Sequence, residues 1–212
     1  MPVTAPAVRA SAAADRIRDA RLIAVLRRVE PRAALIDLVA GLVDAGVRAV
    51  EVTFDAADAA DDLVACREAF PNRDDLVLGA GTLRRVEQVT AAVDAGAAFG
   101  VSPVLDPDVI AAATAAGLAF VPGAATPTEA DRAWRLGATF VKIFPGSALG
   151  PSFVRELRGP LPEIETIVTG GVDASNARAF LDAGAVAVGV GGALVRASAT
   201  ERRALVRAVT AR

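Results

Sequence analysis

Five segments of the chain repeat one pattern of polar and apolar positions: an alanine-rich amphipathic stretch, a glycine, and at once a short apolar run. They are LVDAGVRAVEVTF (42–54), AVDAGAAFGVSP (92–103), ATAAGLAFVPG (113–123), AWRLGATFVKIFP (133–145) and FLDAGAVAVGVGG (180–192). Each reads as a helix that stops at a glycine and runs directly into a buried strand. The glycines are Gly46, Gly96, Gly117, Gly137 and Gly184. Three further apolar runs, LIAVL (22–26), LVLGAG (76–81) and ETIVTGG (165–171), lack that glycine. Eight strands alternating with helical stretches predict an α/β protein, a (β/α)8 TIM barrel. It is expected as a single domain over 1–212 with an N-terminal helix, residues 1–10 being flexible. An open doubly wound sheet is the alternative, but the units are evenly spaced and no G-x-G-x-x-G follows the first strand.

In such a barrel, chemistry sits at the carboxyl ends of the strands. Those ends carry Arg27, then Glu51, Thr53 and Asp55, then Gly79, Gly81 and Thr82. Pro103, Lys142 with Phe144, the TGG of Thr169, Gly170 and Gly171, and the glycines Gly189, Gly191 and Gly192 complete the rim. Strand side chains alternate between faces. If Val50 and Val52 pack outward on helices, Ala49, Glu51 and Thr53 point inward. Likewise Val141 and Ile143 go outward, and Phe140, Lys142 and Phe144 inward. One carboxylate and one ammonium therefore enter the barrel.

Composition narrows what these groups can do. The chain of 212 residues is 53% hydrophobic with a net charge of -2, so it presents no basic surface suited to nucleic acid. No apolar run is long enough to span a membrane. The lone Cys66 permits no internal disulfide, which fits a reducing, cytoplasmic location. Histidine and tyrosine are absent. That removes Ser-His-Asp and Cys-His catalysis and makes a transition-metal site unexpected, so no metal and no cofactor is predicted. A general base has to be Asp or Glu. Of the 23 Lys plus Arg, Lys142 is the one lysine. A purely structural buried pair would be served better by Arg. A buried lysine has a lowered pKa and can attack a carbonyl to form an imine, which arginine cannot do. Glu51 is then the base beside it. The plain alternative is a buried structural ion pair. The glycines after strands 7 and 8 are expected to supply backbone N–H groups to an anionic end of a substrate, with tight turns as the alternative reading. GAGT (79–82) is read either as a β-turn or as a carboxylate grip.

AVEVTF, LGAGTL, VKIFPGSALGP and IVTGGV, in this order, resemble the class I 2-keto-3-deoxy-6-phosphogluconate aldolase family, including its 6-phosphogalactonate branch. The resemblance runs from LIAVLR to GVGGALV. It implies a homotrimeric, metal-free barrel that cleaves a phosphorylated 2-keto-3-deoxy sugar acid to pyruvate and glyceraldehyde 3-phosphate. It further implies Lys142 as the Schiff-base lysine and Glu51 as the general acid/base. Thr82 would contact the pyruvyl carboxylate, and Gly170, Gly171 and Gly192 the phosphate. Arg27, Thr53, Pro103, Phe144, Thr169, Gly191 and Ala193 join them as expected substrate-binding positions. Two positions depart from the family pattern. Asp55 stands where the phosphogluconate branch has an arginine, so Arg27 is expected to take over the carboxylate. Ala193 stands where the family has a phosphate-binding serine. The positions expected to set C4 stereochemistry are mixed between the branches, leaving both epimers open. An aldolase for an unphosphorylated 4-hydroxy-2-oxo acid, a phosphosugar isomerase or epimerase, and a non-catalytic metabolite-binding barrel are the other readings.

Overall fold

A computed structural model describes residues 11–211; the expectation for residues 1–10 lies outside them. Helix α1 (Ala12–Ala20) precedes strand β1 (Leu22–Leu26). Helices and strands then alternate as α2 (Arg32–Asp44), β2 (Ala49–Thr53), α3 (Ala59–Ala69), β3 (Val77–Gly81), α4 (Val86–Asp94), β4 (Phe99–Val101) and α5 (Pro107–Ala115). After β5 (Ala119–Val121) and β6 (Gly123–Ala124) come α6 (Pro127–Arg135), β7 (Val141–Ile143), α7 (Gly146–Arg158), β8 (Thr166–Thr169), α8 (Ala177–Asp182), β9 (Ala187–Val190), α9 (Gly192–Arg196) and α10 (Ala199–Thr210).

The described strands form one parallel sheet in the order β5-β4-β3-β2-β1-β9-β8-β7-β6. Its two edges, β5 and β6, are neighbours in the chain, separated by Pro122 alone. Pro122 has no N–H to give a ladder, and the strand breaks there. Backbone bonds from Thr139 N to Phe120 O (2.8 Å), Lys142 N to Pro122 O (2.8 Å) and Phe144 N to Ala124 O (3.1 Å) carry the sheet round into a nearly closed barrel. The five glycines expected to end helices all have positive φ, from 70° at Gly117 to 109° at Gly184. A Cβ is disfavoured in that left-handed conformation.

Two apolar layers follow from the alternation of side chains. Val50, Val52, Val141, Ile143, Val168 and Val188 point outward and pack with the helices. Ala49, Val77, Phe99, Phe140, Ile167 and Ala187 fill the barrel, where Ala14 and Ile17 of α1 join them. Arg18 ties that helix down: its Nε and Nη2 donate to Glu165 at 2.9 and 2.6 Å, and its guanidinium lies 5.0 Å from the Phe140 ring centre. One end of the barrel is thus plugged by apolar packing. The polar inward residues occupy the other end.

Candidate active site

Lys142 lies on β7, in register with Gly123 of β6 and Ile167 of β8. It is only 6% exposed. Its Nζ stands 5.1 Å from the centre of the Phe144 ring, over which a cation is attracted. Phe144 itself is 37% exposed, at the rim of the barrel. Glu51 on β2 is 1% exposed and registers with Val25 and Gly79. The alternation expected from sequence therefore holds in both strands. No hydrogen bond or ion pair joins Glu51 to Lys142 among the described residues, so the two couple through space. Burial pushes the Glu51 carboxyl above the usual carboxylate range, against the attraction of Lys142 and Arg27. Burial likewise lowers the Lys142 amine, opposed by Glu51 and assisted by Arg27.

Room for these groups comes from glycines on the inward face. Gly79 and Gly81 belong to β3, two residues apart and so on one face. A Cβ on Gly81 would stand 1.8 Å from Glu51 Oε1, and one on Gly79 would stand 2.5 Å from the Phe99 ring. GAGT is thus neither a turn nor a direct grip at its glycines: they are strand residues whose missing side chains admit Glu51 and Phe99.

A cavity of about 420 Å³ opens beside Lys142. Arg27, Phe144, Thr169, Gly170, Gly171, Gly191, Gly192 and Ala193 line it together with the lysine. Gly170 and Gly171 have φ of 87° and 72°, and a side chain on either would strike Phe144 or Ser147. The turn needs glycine twice, and this exposes its backbone to the cavity. Thr169 Oγ1 is buried without a hydrogen-bond partner among the described residues. A buried hydroxyl left this way is an unusual arrangement, and here it borders the cavity.

Four expected positions lie off this wall: Glu51, buried on β2 as described above, and Thr53, Pro103 and Thr82. The Thr53 hydroxyl donates to Leu26 O at 3.3 Å, bracing β2 on β1. Pro103 packs with its carbonyl against Gly123. Thr82 takes a left-handed backbone with φ of 60° and accepts a long 3.5 Å contact from Arg27. Arg27 is itself engaged: its Nη1 pairs with Asp55 Oδ2 at 2.8 Å, and Arg28 Nε reaches the same oxygen at 3.3 Å. Asp55 Oδ1 is buried without a hydrogen-bond partner among the described residues. Asp55 thus acts as the anchor of Arg27; burial raises its carboxyl, but the Arg27 and Arg28 guanidiniums on Oδ2 help to hold it below the usual range.

Arg196, Asp173 and Val25 also line the cavity, and sequence reasoning did not single them out. Arg196 is the last residue of α9, four positions beyond Gly192, so one helical turn returns it to the glycine loop. That spacing was the available signal.

A family model described as KDPG and KHG aldolase matches residues 13–210. The chain is 37% identical over 183 residues to 2-dehydro-3-deoxy-6-phosphogalactonate aldolase of Escherichia coli (strain K12), covering 86% of this chain and 88% of that protein. It is 37% identical over 155 residues to 2-dehydro-3-deoxy-phosphogluconate aldolase of Treponema pallidum (strain Nichols), covering 73% and 71%. Among solved structures, a native KDPGal structure superimposes with a TM-score of 0.81 at 36% identity, covering 88% of this chain and 93% of that one. With a matching barrel, one buried lysine and one buried glutamate at its mouth, the chain belongs to the KDPG and KHG aldolase family.

Proposed function

We propose that this chain is a Schiff-base aldolase that cleaves a 2-keto-3-deoxy-6-phospho sugar acid to pyruvate and D-glyceraldehyde 3-phosphate. The observation that carries the reading is the buried Lys142, its amine lowered by burial, beside a cavity bordered by glycine turns and within the field of a buried Glu51. The neutral amine attacks the C2 ketone and gives a carbinolamine. Glu51 passes a proton to the departing hydroxyl, and loss of water leaves a cationic imine. Glu51, through a water, then takes the proton of the C4 hydroxyl. The C3–C4 bond breaks, its electron pair moves onto C3 and the imine nitrogen as an enamine, and the aldehyde leaves. Protonation at C3 and hydrolysis release pyruvate and restore the amine.

In this reading Arg27, aimed by Asp55, meets the carboxylate together with Thr82, and the turns at Gly170, Gly171, Gly191 and Gly192 meet the phosphate. Thr169 meets a substrate hydroxyl. Thr53, Pro103 and Ala193 shape the surroundings. β5 and β6 count as one strand interrupted at Pro122, giving a (β/α)8 barrel and a single domain over the chain. A homotrimer working in the cytoplasm completes the proposal. Among the described residues, no helix is long and apolar enough to cross a membrane.

Borohydride reduction in the presence of pyruvate tests the mechanism. The expected result is inactivation with one reduced pyruvyl group on Lys142. An adduct elsewhere, with Lys142 unmodified, overturns it. Cleavage assays with both C4 epimers then identify the preferred sugar acid.

A further inference from the structure

Arg196 is the cation of the cavity with no assigned partner. Its guanidinium lies over Gly192: a Cβ there would stand 2.8 Å from Nη1 and 3.4 Å from Cζ and Nη2. The side chain is exposed and makes no hydrogen bond or ion pair among the described residues. The other two cations on the wall differ. Arg27 is held by Asp55, and Lys142 is buried on β7. The carboxylate that lines the wall, Asp173, is occupied by its own turn, accepting from Ser175 N at 2.8 Å and from the Ser175 hydroxyl. Those bonds hold its carboxyl below the usual range. At this end of the cavity Ala193 offers no hydroxyl, and the loop glycines offer only backbone groups. A guanidinium presents paired N–H donors that match two oxygens of a phosphate.

We propose that Arg196 discriminates phosphorylated from unphosphorylated substrates, its guanidinium pairing with the terminal phosphate over the Gly191–Gly192 loop. This rests on the aldolase reading above and adds to it the residue that selects the substrate class. The absence of a side chain at Gly192 is what lets the guanidinium fold back over the loop. The exposure of Arg196 lets it follow the ligand in and out.

Steady-state cleavage tests it, with the 6-phosphorylated keto acid and its dephosphorylated form as parallel substrates. Arg196→Ala is expected to lower kcat/KM on the phosphorylated substrate by about 10- to 100-fold, the range for a hydrogen bond to a charged group. The loss should appear in KM, with the unphosphorylated substrate and the rate of pyruvate trapping on Lys142 unchanged. Arg196→Lys should recover part of the loss. Equal losses on both substrates, or no loss on the phosphorylated one, overturn the assignment. So does a wild-type enzyme that cleaves both forms equally, or an Arg196-dependent preference for a carboxylate-terminated keto acid. Failure of the wild type to trap pyruvate on Lys142 is a separate result, and it removes the aldolase reading itself.

Discussion

Gly81→Ala should disable the site without touching a charged residue. A methyl built on Gly81 meets Glu51 Oε1 at 1.8 Å, Cδ at 2.4 Å and Cγ at 2.6 Å. Non-bonded atoms settle near 3.5–4.0 Å, so the carboxylate must retreat by about 1.7–2.2 Å. Both residues sit in adjacent paired strands, where Thr53 registers with Gly81 and Glu51 with Gly79, so the backbones have little freedom to part. A displacement of about 1 Å can cost 10²-fold, and a lost general acid–base group about 10²–10⁴-fold. Turnover should therefore fall by 10²-fold or more. Overpacking should also lower stability by about 1–3 kcal/mol. A double-mutant cycle with Glu51→Ala isolates the cause. In the Glu51→Ala background the collision is absent, so Gly81→Ala should cost little further turnover and almost no stability. Single-turnover cleavage and urea unfolding on the four proteins provide both readouts. If the two substitutions multiply in their effect on turnover, the clash with Glu51 is not what Gly81 avoids and the explanation fails.

Lys142→Arg should retain the fold and lose nearly all aldol cleavage, since a guanidinium stays protonated and forms no imine; retained cleavage contradicts the imine mechanism. The raised Glu51 pKa means that the folded state holds its proton at pH values where the unfolded state has released it. Stability from this group should thus be lost as pH rises from the ordinary carboxylate range through the raised value, by up to about 1.4 kcal/mol per pH unit. Unfolding free energies of wild type and Glu51→Gln across that window check it, the variant lacking the slope. Asp55→Asn should release Arg27 and raise KM for the keto acid more than it lowers kcat, and unchanged kinetics would remove Asp55 as the anchor. Cys66 is buried with its thiol pushed up to about 11, so it should resist alkylation at pH 8 until the protein is unfolded. Chelation by EDTA is expected to leave aldol cleavage unchanged, and loss restored by a divalent cation would contradict the mechanism.

The helix–glycine–strand repeats were legible because each is local. A left-handed glycine ends a helix wherever it stands, and a period of two sets the face of a strand side chain irrespective of its neighbours. By that periodicity alone, Glu51 and Lys142 were directed into one interior. The missing histidine and the single lysine restricted what chemistry that interior could hold. The break of the expected fifth strand at Pro122 was less legible, since the cost of a missing N–H depends on which neighbour would have accepted its bond. Other features required the closed sheet. Gly79 and Gly81 look like turn residues in one dimension, and become space for Phe99 and Glu51 only when β3 lies beside β2 and β4. Asp55 looked like a lost cation until β1 and β2 paired and brought it to Arg27. Arg196 reached the cavity by one turn of a helix that starts at the glycine loop. Periodicity and composition act along the chain, so the sequence by itself determined the element pattern, the inward charges and the available reagents. Which side chains fill, anchor or border the cavity depends on distances between strands and loops far apart in the chain, and those exist only once the barrel closes.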